Sequence, residues 1–497
     1  MVDLPVIIGA GQLTNHAGSL AGARSPLDLM AECARLAAAD AGVPGALARV
    51  DSVQVVNIIS WAPPDPAGEL AAAVGAREGG ERIYTVVGGD TPQRLVNEAA
   101  MRLTRGEIGL ALIAGAEAMH SLKLSSAAGS PLPWPPRSGR GLLQDRPGWA
   151  QTEIAHGALL PARVYPMFEN AIRAHRGWSI EEHRGRLGEW GARFSAVAAA
   201  NPNAWFRKAL TSEEVTGVGA TNRLTAFPYT KRLNAFLEVD QGAALLLASE
   251  SVARDLGVPR EEWVYLHGFA HLNDLWFLSE RQNYWSSPAI ARAARLALGM
   301  ASAEVDGMAC FDLYSCFPSA VETAREAIGI PEGDPRPLTV TGGLPYFGGP
   351  GNNYVTHSIA TMAARLRERP GELGLVTGLG MLTTKHSVGI YGAERPGGDW
   401  SPPDLVRAQA GIDAAPHPAM AGEPAGPASI ETYTVAYGRE GRPESTVIIG
   451  RMEDGRRFFA NGPTDEHHIA DLTAREGVGL RGRVAHDRAT GLNRFDW

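Results

Sequence analysis

Short apolar runs alternate with amphipathic segments along most of the chain. The runs are rich in Val, Ile and Leu, and most of them end at glycine, which is typical of buried strands that lead into turns. Such strands are predicted at residues 6–11, 51–58, 85–89 and 110–115. Between them, apolar side chains recur at helical spacing in residues 27–41 and 93–105. The alternation of strand and helix predicts an α/β fold with a covered sheet.

The same order of elements returns in the second part of the chain. Residues 264–268 resemble the first strand, and a helix is predicted at residues 289–299. Three apolar landmarks of the first part return at a nearly constant offset, at residues 305–306, 340–343 and 375–378. We interpret the pattern as two copies of one α/β unit. The alternative is that any α/β protein shows such echoes.

Two regions depart from this repeat. A long excursion at residues 120–234 separates the copies and contains a helix predicted at residues 179–201, which begins with a capping-box pattern. Beyond residue 400, a stretch dense in Pro, Ala and Gly predicts a linker, and short alternating runs then predict a small barrel of the oligonucleotide/oligosaccharide-binding type. We therefore divide the chain into residues 1–260, 261–400, 401–427 and 428–497.

Composition narrows the class of protein. The net charge of −8 is mildly acidic and no basic block occurs, so nucleic acid and anionic membranes are not expected partners. No apolar run is long enough to span a bilayer, and the N-terminus lacks the pattern of a signal peptide. The 3 cysteines lack the CxxC spacing of a metal site. We expect a cytoplasmic enzyme.

Candidate chemistry concentrates in residues 311–354, where Gly-rich turns follow apolar runs. Glycine lets the backbone approach a ligand closely and leaves N–H groups free to point at it. Tyr314 and Cys316 lie at the end of one run, and Tyr346 lies in the Gly-rich turn after the next. All three also have a simpler interpretation as packed core residues.

These motifs resemble those of the thiolase superfamily, and the likeness covers nearly all of residues 5–391. The landmarks that support it lie at residues 165–169, 201–204 and 240–244. The closer resemblance is to thiolase-like proteins with an appended C-terminal barrel, often labelled acetyl-CoA acetyltransferases. It implies a duplicated five-layer α/β/α/β/α fold with an inserted loop domain, a homodimer, and an acyl-CoA thioester as substrate without a metal or other cofactor.

The residues that perform catalysis in a thiolase are absent from the matching segments. The nucleophilic Cys falls on Gly89, the His of the Gly-His-Pro motif on Gly349, and the second Cys on about Gly378. Tyr-Ser-Cys-Phe at residues 314–317 stands where sterol-carrier-type thiolases have His-Asp-Cys-Phe. Thiolysis needs the missing thiolate, so ordinary thiolase activity is not expected.

What remains resembles the thiolase-fold aldolases that cleave the side chain of steroid-type acyl-CoA thioesters. That branch uses tyrosines instead of the Cys/His set and works with an OB-fold partner, of which the C-terminal barrel would be a fused version. The resemblance implies a retro-aldol reaction. We predict Tyr314 as base and Tyr346 as proton donor, with the two roles interchangeable. Residues 381–386 match a segment of that branch that ends in His, so His386 is predicted to orient a tyrosine or to contact the thioester.

Four further residues are predicted to contact the substrate. Backbone N–H groups near Gly349 and Gly380 are candidates for an oxyanion hole. Asp90 and His357 are candidates on motif position alone. Two other functions stay open: acyl transfer with Cys316 or the thiol of a partner protein as nucleophile, and acyl-CoA binding or scaffolding without catalysis. The acyl group of the substrate has no sequence motif that identifies it.

Overall fold

A computed structural model describes residues 2–137, 143–144 and 146–497. Helix starts follow local sequence signals; the first helix, for example, begins with Pro26 after Ser25, whose hydroxyl accepts a hydrogen bond from the Asp28 N–H. The first half opens with β1 (Pro5–Thr14), α1 (Pro26–Asp40), β2 (Ser52–Val55), α2 (Pro66–Val74), β3 (Glu81–Tyr84), α3 (Thr91–Thr104) and β4 (Leu110–Ala118).

The inserted region follows β4 and is mainly helical. Its elements are α4 (Met119–Ala128), α5 (Gln151–Ala155), α6 (Pro161–Arg176), α7 (Ile180–Ala200), α8 (Ser212–Thr216), β5 (Leu224–Ala226) and β6 (Tyr229–Thr230). One half of the predicted capping box of α7 is present, since the Ser179 hydroxyl accepts a hydrogen bond from the Glu182 N–H. The first half is then completed by β7 (Asp240–Ser249) and α9 (Glu250–Asp255).

The second half repeats the element order of the first, except that a non-strand segment stands in place of β3. It consists of β8 (Val264–Asn273), α10 (Pro288–Ala301), β9 (Met308–Asp312), α11 (Pro318–Ile328), α12 (Tyr354–Glu368), β10 (Leu373–Gly380) and β11 (Lys385–Gly392). The C-terminal region contains α13 (Leu405–Asp413), β12 (Gly426–Tyr437), β13 (Pro443–Met452), β14 (Arg457–Gly462), α14 (Glu466–Ala474), β15 (Arg481–Asp487) and β16 (Leu492–Asp496).

The strands of both halves join in one sheet of order β3-β2-β4-β7-β1-β8-β11-β10-β9. The halves meet where β1 pairs antiparallel with β8. Helices α3 and α12 contact strands of both halves, whereas α1 contacts β1, β4 and β7 and α10 contacts β8 and β11. Two helices thus lie between the half-sheets and others cover the outer faces, which is the predicted duplicated five-layer fold.

Two predictions about local structure are wrong. The strand predicted at residues 85–89 lies at Glu81–Tyr84, and residues 85–89 form the loop that enters α3. Gly88 there has φ +154°, and the Val87 N–H donates to the Leu143 carbonyl of the inserted region instead of to a neighbouring strand. The predicted linker at residues 401–427 contains α13, which begins at an N-cap, Asp404.

The C-terminal barrel is closed. Its five strands pair in the order β13-β14-β16-β15-β12, and β12 pairs back to β13. The hairpin β5–β6 of the inserted region extends this sheet through β12, and Phe227 of the hairpin packs in the barrel core. The inserted region and the barrel therefore share one core, which the sequence did not predict. Among the described residues, no helix has both the length and the apolar composition needed to cross a membrane.

Candidate active site

The Tyr314 hydroxyl lies against Gly89, the position to which the resemblance to thiolases assigns the nucleophile. Tyr314 follows β9, and its N–H donates to the Thr377 hydroxyl at 2.8 Å, while its ring meets the Tyr354 ring edge-on at 5.6 Å. A Cβ atom at Gly89 would collide with the Tyr314 hydroxyl. Because Gly89 directly precedes Asp90, the N-cap of α3, the phenol lies at the start of that helix, where the helix dipole favours negative charge.

Neighbouring side chains also lie close to Gly378 and Gly349, the two other glycines that the resemblance matches to thiolase catalytic residues. A Cβ atom at Gly378 would collide with the Ser387 hydroxyl, which donates to the Asp90 carbonyl at 2.9 Å. At Gly349, the Leu237 side chain already lies 3.3 Å from where a Cβ atom would be. The Gly349 N–H donates to the Phe236 carbonyl at 2.8 Å. The prediction that Gly349 serves an oxyanion hole is therefore not supported by this geometry.

Cys316 lies two residues after Tyr314 in the chain and faces Tyr165 of α6. The Tyr165 hydroxyl donates to the Met381 carbonyl at 3.1 Å and accepts from the Thr383 N–H at 3.3 Å, so it ties α6 to the turn between β10 and β11. Burial raises the pKa of Cys316 to about 12, although a hydrogen bond with Tyr165 lowers it. A thiol with that pKa stays protonated at neutral pH and is a poor nucleophile.

Burial also determines what Tyr314 can do. Its side chain is 7% exposed, and burial raises its pKa well above the usual value for tyrosine, with Cys316, Tyr354 and Asp90 adding to the rise. A phenol with a raised pKa keeps its proton at neutral pH. Tyr314 is therefore suited to donate a proton or a hydrogen bond, and not to act as the predicted base.

Asp90 is the carboxyl group beside this phenol. It is the N-cap residue of α3 and is buried, and its Oδ1 atom has no hydrogen-bond partner among the described residues. Burial raises the pKa of Asp90, whereas the charges of Lys385 and Arg94 lower it. Oδ1 is close to both Gly88 and Gly380, since a Cβ atom at either would collide with it. The predicted Gly380 thus borders the same centre.

A cavity of about 440 Å³ opens beside Asp90. It lies between the first turn of α3, the ends of β8 and β11, and α13. His386 lines it, but the imidazole is not directed at Tyr314: its Nε2 atom lies 3.3 Å from Asp274 Oδ2, at the start of α10. The neighbouring Ser387 points to α3 instead, and successive strand residues face opposite sides. The structure therefore does not bring His386 to a tyrosine.

Tyr346 is also separated from this centre. Its hydroxyl lies against Gly191 of α7 and Val215, and its ring is 6.5 Å from the Trp190 ring. Among the described residues this buried hydroxyl has no hydrogen-bond partner, and burial raises its pKa. The predicted pairing of Tyr314 and Tyr346 as base and acid is not supported, because the two hydroxyl groups face different parts of the protein.

His357 is a core residue on α12. It is fully buried, its Nδ1 atom lies 2.9 Å from Gln12 Oε1, and its ring meets Phe347 at 5.1 Å. Burial lowers the pKa of His357 to about 3, so the ring is neutral. Its contacts lie with β1 and Phe347, so the predicted contact with substrate has no support from position.

Sequence reasoning missed two residues that shape the centre. Asn352 accepts a hydrogen bond from the Gly88 N–H at 3.0 Å and donates to the Asn57 carbonyl at 3.0 Å, so it fixes the loop that leads to Gly89. Arg281 donates to the Thr383 carbonyl at 2.7 Å. Asn352 lies in the Gly-rich part of residues 311–354, whereas Arg281 lies in a stretch without any motif.

The chain is similar to known proteins in both sequence and structure. The family described as thiolase-like protein type 1 additional C-terminal domain matches residues 408–489. A search of curated proteins found no match. The chain is similar to a solved structure of a monomeric SCP2-thiolase-like protein type 1 from Mycobacterium smegmatis, with 35% identity, a TM-score of 0.86, and coverage of 100% of this chain and 99% of that chain. Since that protein is described as monomeric, the homodimer stays a prediction.

Two more distant structures share the fold. The acetyl-CoA acetyltransferase from Syntrophomonas wolfei is 16% identical with a TM-score of 0.57, and the match covers 80% of this chain and 100% of that chain. The Ltp2–ChsH2(DUF35) aldolase is 20% identical with a TM-score of 0.59, covering 80% and 99%. At these identities the likeness shows the fold alone.

Proposed function

Because the chain belongs to the family of SCP2-thiolase-like proteins of type 1, we propose that it breaks a carbon–carbon bond of an acyl-CoA thioester by a retro-aldol reaction. One observation carries the proposal: the Tyr314 hydroxyl fills the space of the missing nucleophile at Gly89. A phenol there can exchange a proton with a bound thioester but cannot form a thioester bond itself. The chemistry is thereby moved from acyl transfer to acid–base catalysis.

The proposed roles follow from the two pKa shifts. Asp90, whose pKa is raised by burial, is a stronger base than an ordinary carboxylate and takes the proton of the substrate's β-hydroxyl. The Cα–Cβ bond breaks, the β-carbon leaves as an aldehyde or ketone, and the bonding electrons form the thioester enolate. Tyr314 then gives its proton to Cα, and the proton held by Asp90 returns to Tyr314. No covalent intermediate forms.

Claisen chemistry through Cys316 is less well supported. A thiolate is the species that attacks a thioester, and burial raises the pKa of Cys316 to about 12. The Ltp2–ChsH2(DUF35) structure is described as an aldolase, and this chain shares its fold and has a C-terminal barrel of its own. This likeness supports the aldol direction only as an analogy.

A second candidate function has an observation of its own. All three positions matched to thiolase catalytic residues are glycine; side chains occupy the space at Gly89 and Gly378, and Leu237 lies 3.3 Å from where a Cβ atom at Gly349 would be. Tyr314 and Cys316 are only 7% and 8% exposed. A centre that is packed this closely also suits a protein that binds an acyl-CoA without converting it.

One experiment separates the two candidates. The full chain is incubated with 3-hydroxyacyl-CoA thioesters that differ in the β-substituent, and mass spectrometry follows the shortened acyl-CoA and the released aldehyde or ketone. Equimolar release of both products supports the retro-aldol reaction. Thioester binding in calorimetry without any product, for every substituent tested, overturns it and supports binding alone. A covalent acyl adduct on Cys316 would instead establish acyl transfer.

A further inference from the structure

Arg457 is a buried charge at the boundary between the barrel and the rest of the protein. Its Nε and Nη2 atoms donate to Glu431 of β12 at 2.8 and 2.7 Å, and its guanidinium lies 4.7 Å from the centre of the Tyr284 ring. The other N–H groups point out of the barrel, to the carbonyls of Ser279 at 3.0 Å and of Arg281. A buried charge is costly unless its partners are well placed. Arg457 therefore fixes the segment of residues 279–281 relative to the barrel.

The segment that Arg457 holds contains a second buried arginine. Arg281 is 4% exposed, and its guanidinium donates to the carbonyls of Thr383 at 2.7 Å and Leu382 at 3.1 Å. Asp274 lies 3.3 Å away and balances the charge. The backbone of Arg281 is therefore bound by the barrel, while its side chain holds the turn between β10 and β11.

That turn depends on external contacts for its shape. Met381 and Thr383 have φ values of +58° and +57°, in the left-handed region that non-glycine residues rarely adopt. Such a conformation persists only where the surroundings hold it. Arg281 bonds the carbonyls of Leu382 and Thr383, and the Tyr165 hydroxyl bonds the Met381 carbonyl and the Thr383 N–H.

The turn borders the candidate active site. A side chain at Gly89 would meet the Leu379 carbonyl, which enters the turn, as well as the Tyr314 hydroxyl. We infer that Arg457 is a positioning residue through which the C-terminal barrel holds this turn against the Tyr314 centre. The catalytic role of the Tyr314 centre rests on the proposed function. The support of the turn by Arg457 through Arg281 does not, so this support can be tested without a substrate.

Hydrogen exchange measures this link directly. The variant Arg457→Met removes the contacts to the carbonyls, and Glu431 retains a partner because Arg451 also donates to it at 2.8 Å. Amides of residues 379–386 are expected to exchange at least about tenfold faster than in the unaltered protein, since the strained turn opens locally when its support is lost. If Arg457→Met does not fold, Arg457→Lys serves, because it keeps the charge but cannot reach several carbonyls at once.

Arg173 provides a matched control. It is a fully buried arginine of α6 that also binds the barrel, donating to Glu476 at 3.0 and 2.9 Å and to the Tyr433 hydroxyl at 3.0 Å. Its partners, Glu476 and Tyr433, differ from the carbonyls of residues 279–282 that Arg457 binds. Arg173→Met is expected to increase exchange in the barrel strands while leaving residues 379–386 unchanged.

The outcomes are unambiguous. Faster exchange at residues 379–386 in the Arg457 variant but not in the Arg173 variant supports the positioning role. Unchanged exchange there in the Arg457 variant, or equal acceleration in both variants, overturns it and leaves Arg457 as a general interface contact. If the retro-aldol reaction occurs, the Arg457 variant should lose kcat while KM stays constant. If it does not occur, the exchange result still decides the link.

Discussion

Tyr314 and Tyr346 have different surroundings, although the same kind of sequence pattern predicted both of them as site residues. Tyr314 has its hydroxyl at Gly89, beside a carboxyl group, a thiol and the start of a helix. Tyr346 has its hydroxyl against Gly191 and Val215, in a packed apolar contact between the turn and α7. A tyrosine near a Gly-rich turn is therefore not sufficient to identify an active-site residue. What distinguishes the two is the kind of ionisable group nearby: a thiol and a carboxyl group add to the rise in the pKa of Tyr314, whereas the charge of Arg232 lowers the pKa of Tyr346 against the effect of burial.

The largest effect is expected when the hydroxyl of each tyrosine is removed in turn. Tyr314→Phe is expected to lower kcat for the retro-aldol reaction by a factor of about 10²–10⁴, because the variant has lost its proton donor. Tyr346→Phe should leave turnover unchanged. Circular dichroism of both variants should match that of the unaltered protein. Equal loss in the two variants would contradict the contrast and return Tyr346 to the active site.

The duplicated α/β unit was predictable because apolar runs determine which segments are buried, whereas the five-layer arrangement followed from the resemblance to thiolases. In the site, Tyr314 and Cys316 were predictable from one local pattern, and Asp90 and Gly380 from the motif positions that they match. The direction of Tyr346 depends on packing against Gly191, and the support that Arg281 gives to Thr383 spans distant segments, so neither leaves a local pattern. Helix α13 was missed because the prolines that flank it suggested a linker.

The reactivity of Cys316 sharpens the description of the Tyr314 surroundings. Its thiolate fraction at pH 8 should be about 10³-fold below that of a free cysteine, because burial raises its pKa. Iodoacetamide labelling followed by peptide mass spectrometry should be slow at pH 8 and should accelerate as the pH rises towards 12. Rapid labelling at pH 8 would identify a reactive thiol and favour acyl transfer. The buried Cys33, whose pKa is also raised, is the internal control.

Whether the Tyr314 hydroxyl occupies the space at Gly89 can be tested by measuring the stability of variants. Gly89→Ala adds a Cβ atom where the Tyr314 hydroxyl lies and should destabilise the protein by about 1–3 kcal/mol, as overpacking does. The double variant Gly89→Ala/Tyr314→Phe should recover part of that loss, since the hydroxyl is gone while the Leu379 carbonyl remains. Thermal unfolding of the four proteins gives the coupling between the two positions. Strictly additive losses would mean that the phenol does not occupy this space.

The smallest expected effect concerns the Tyr346 hydroxyl, and it has the opposite sign. This buried group has no hydrogen-bond partner among the described residues, so Tyr346→Phe removes an uncompensated polar atom and should stabilise the protein by up to about 1 kcal/mol. Tyr354→Phe is the control, since that hydroxyl bonds Thr341 and lies 3.2 Å from Asp312; the variant should lose about 1 kcal/mol or more. Both are measured by denaturant unfolding. If Tyr346→Phe destabilises the protein more than Tyr354→Phe does, the Tyr346 hydroxyl has a hydrogen-bond partner. Tyr346 would then resemble Tyr354 in this respect.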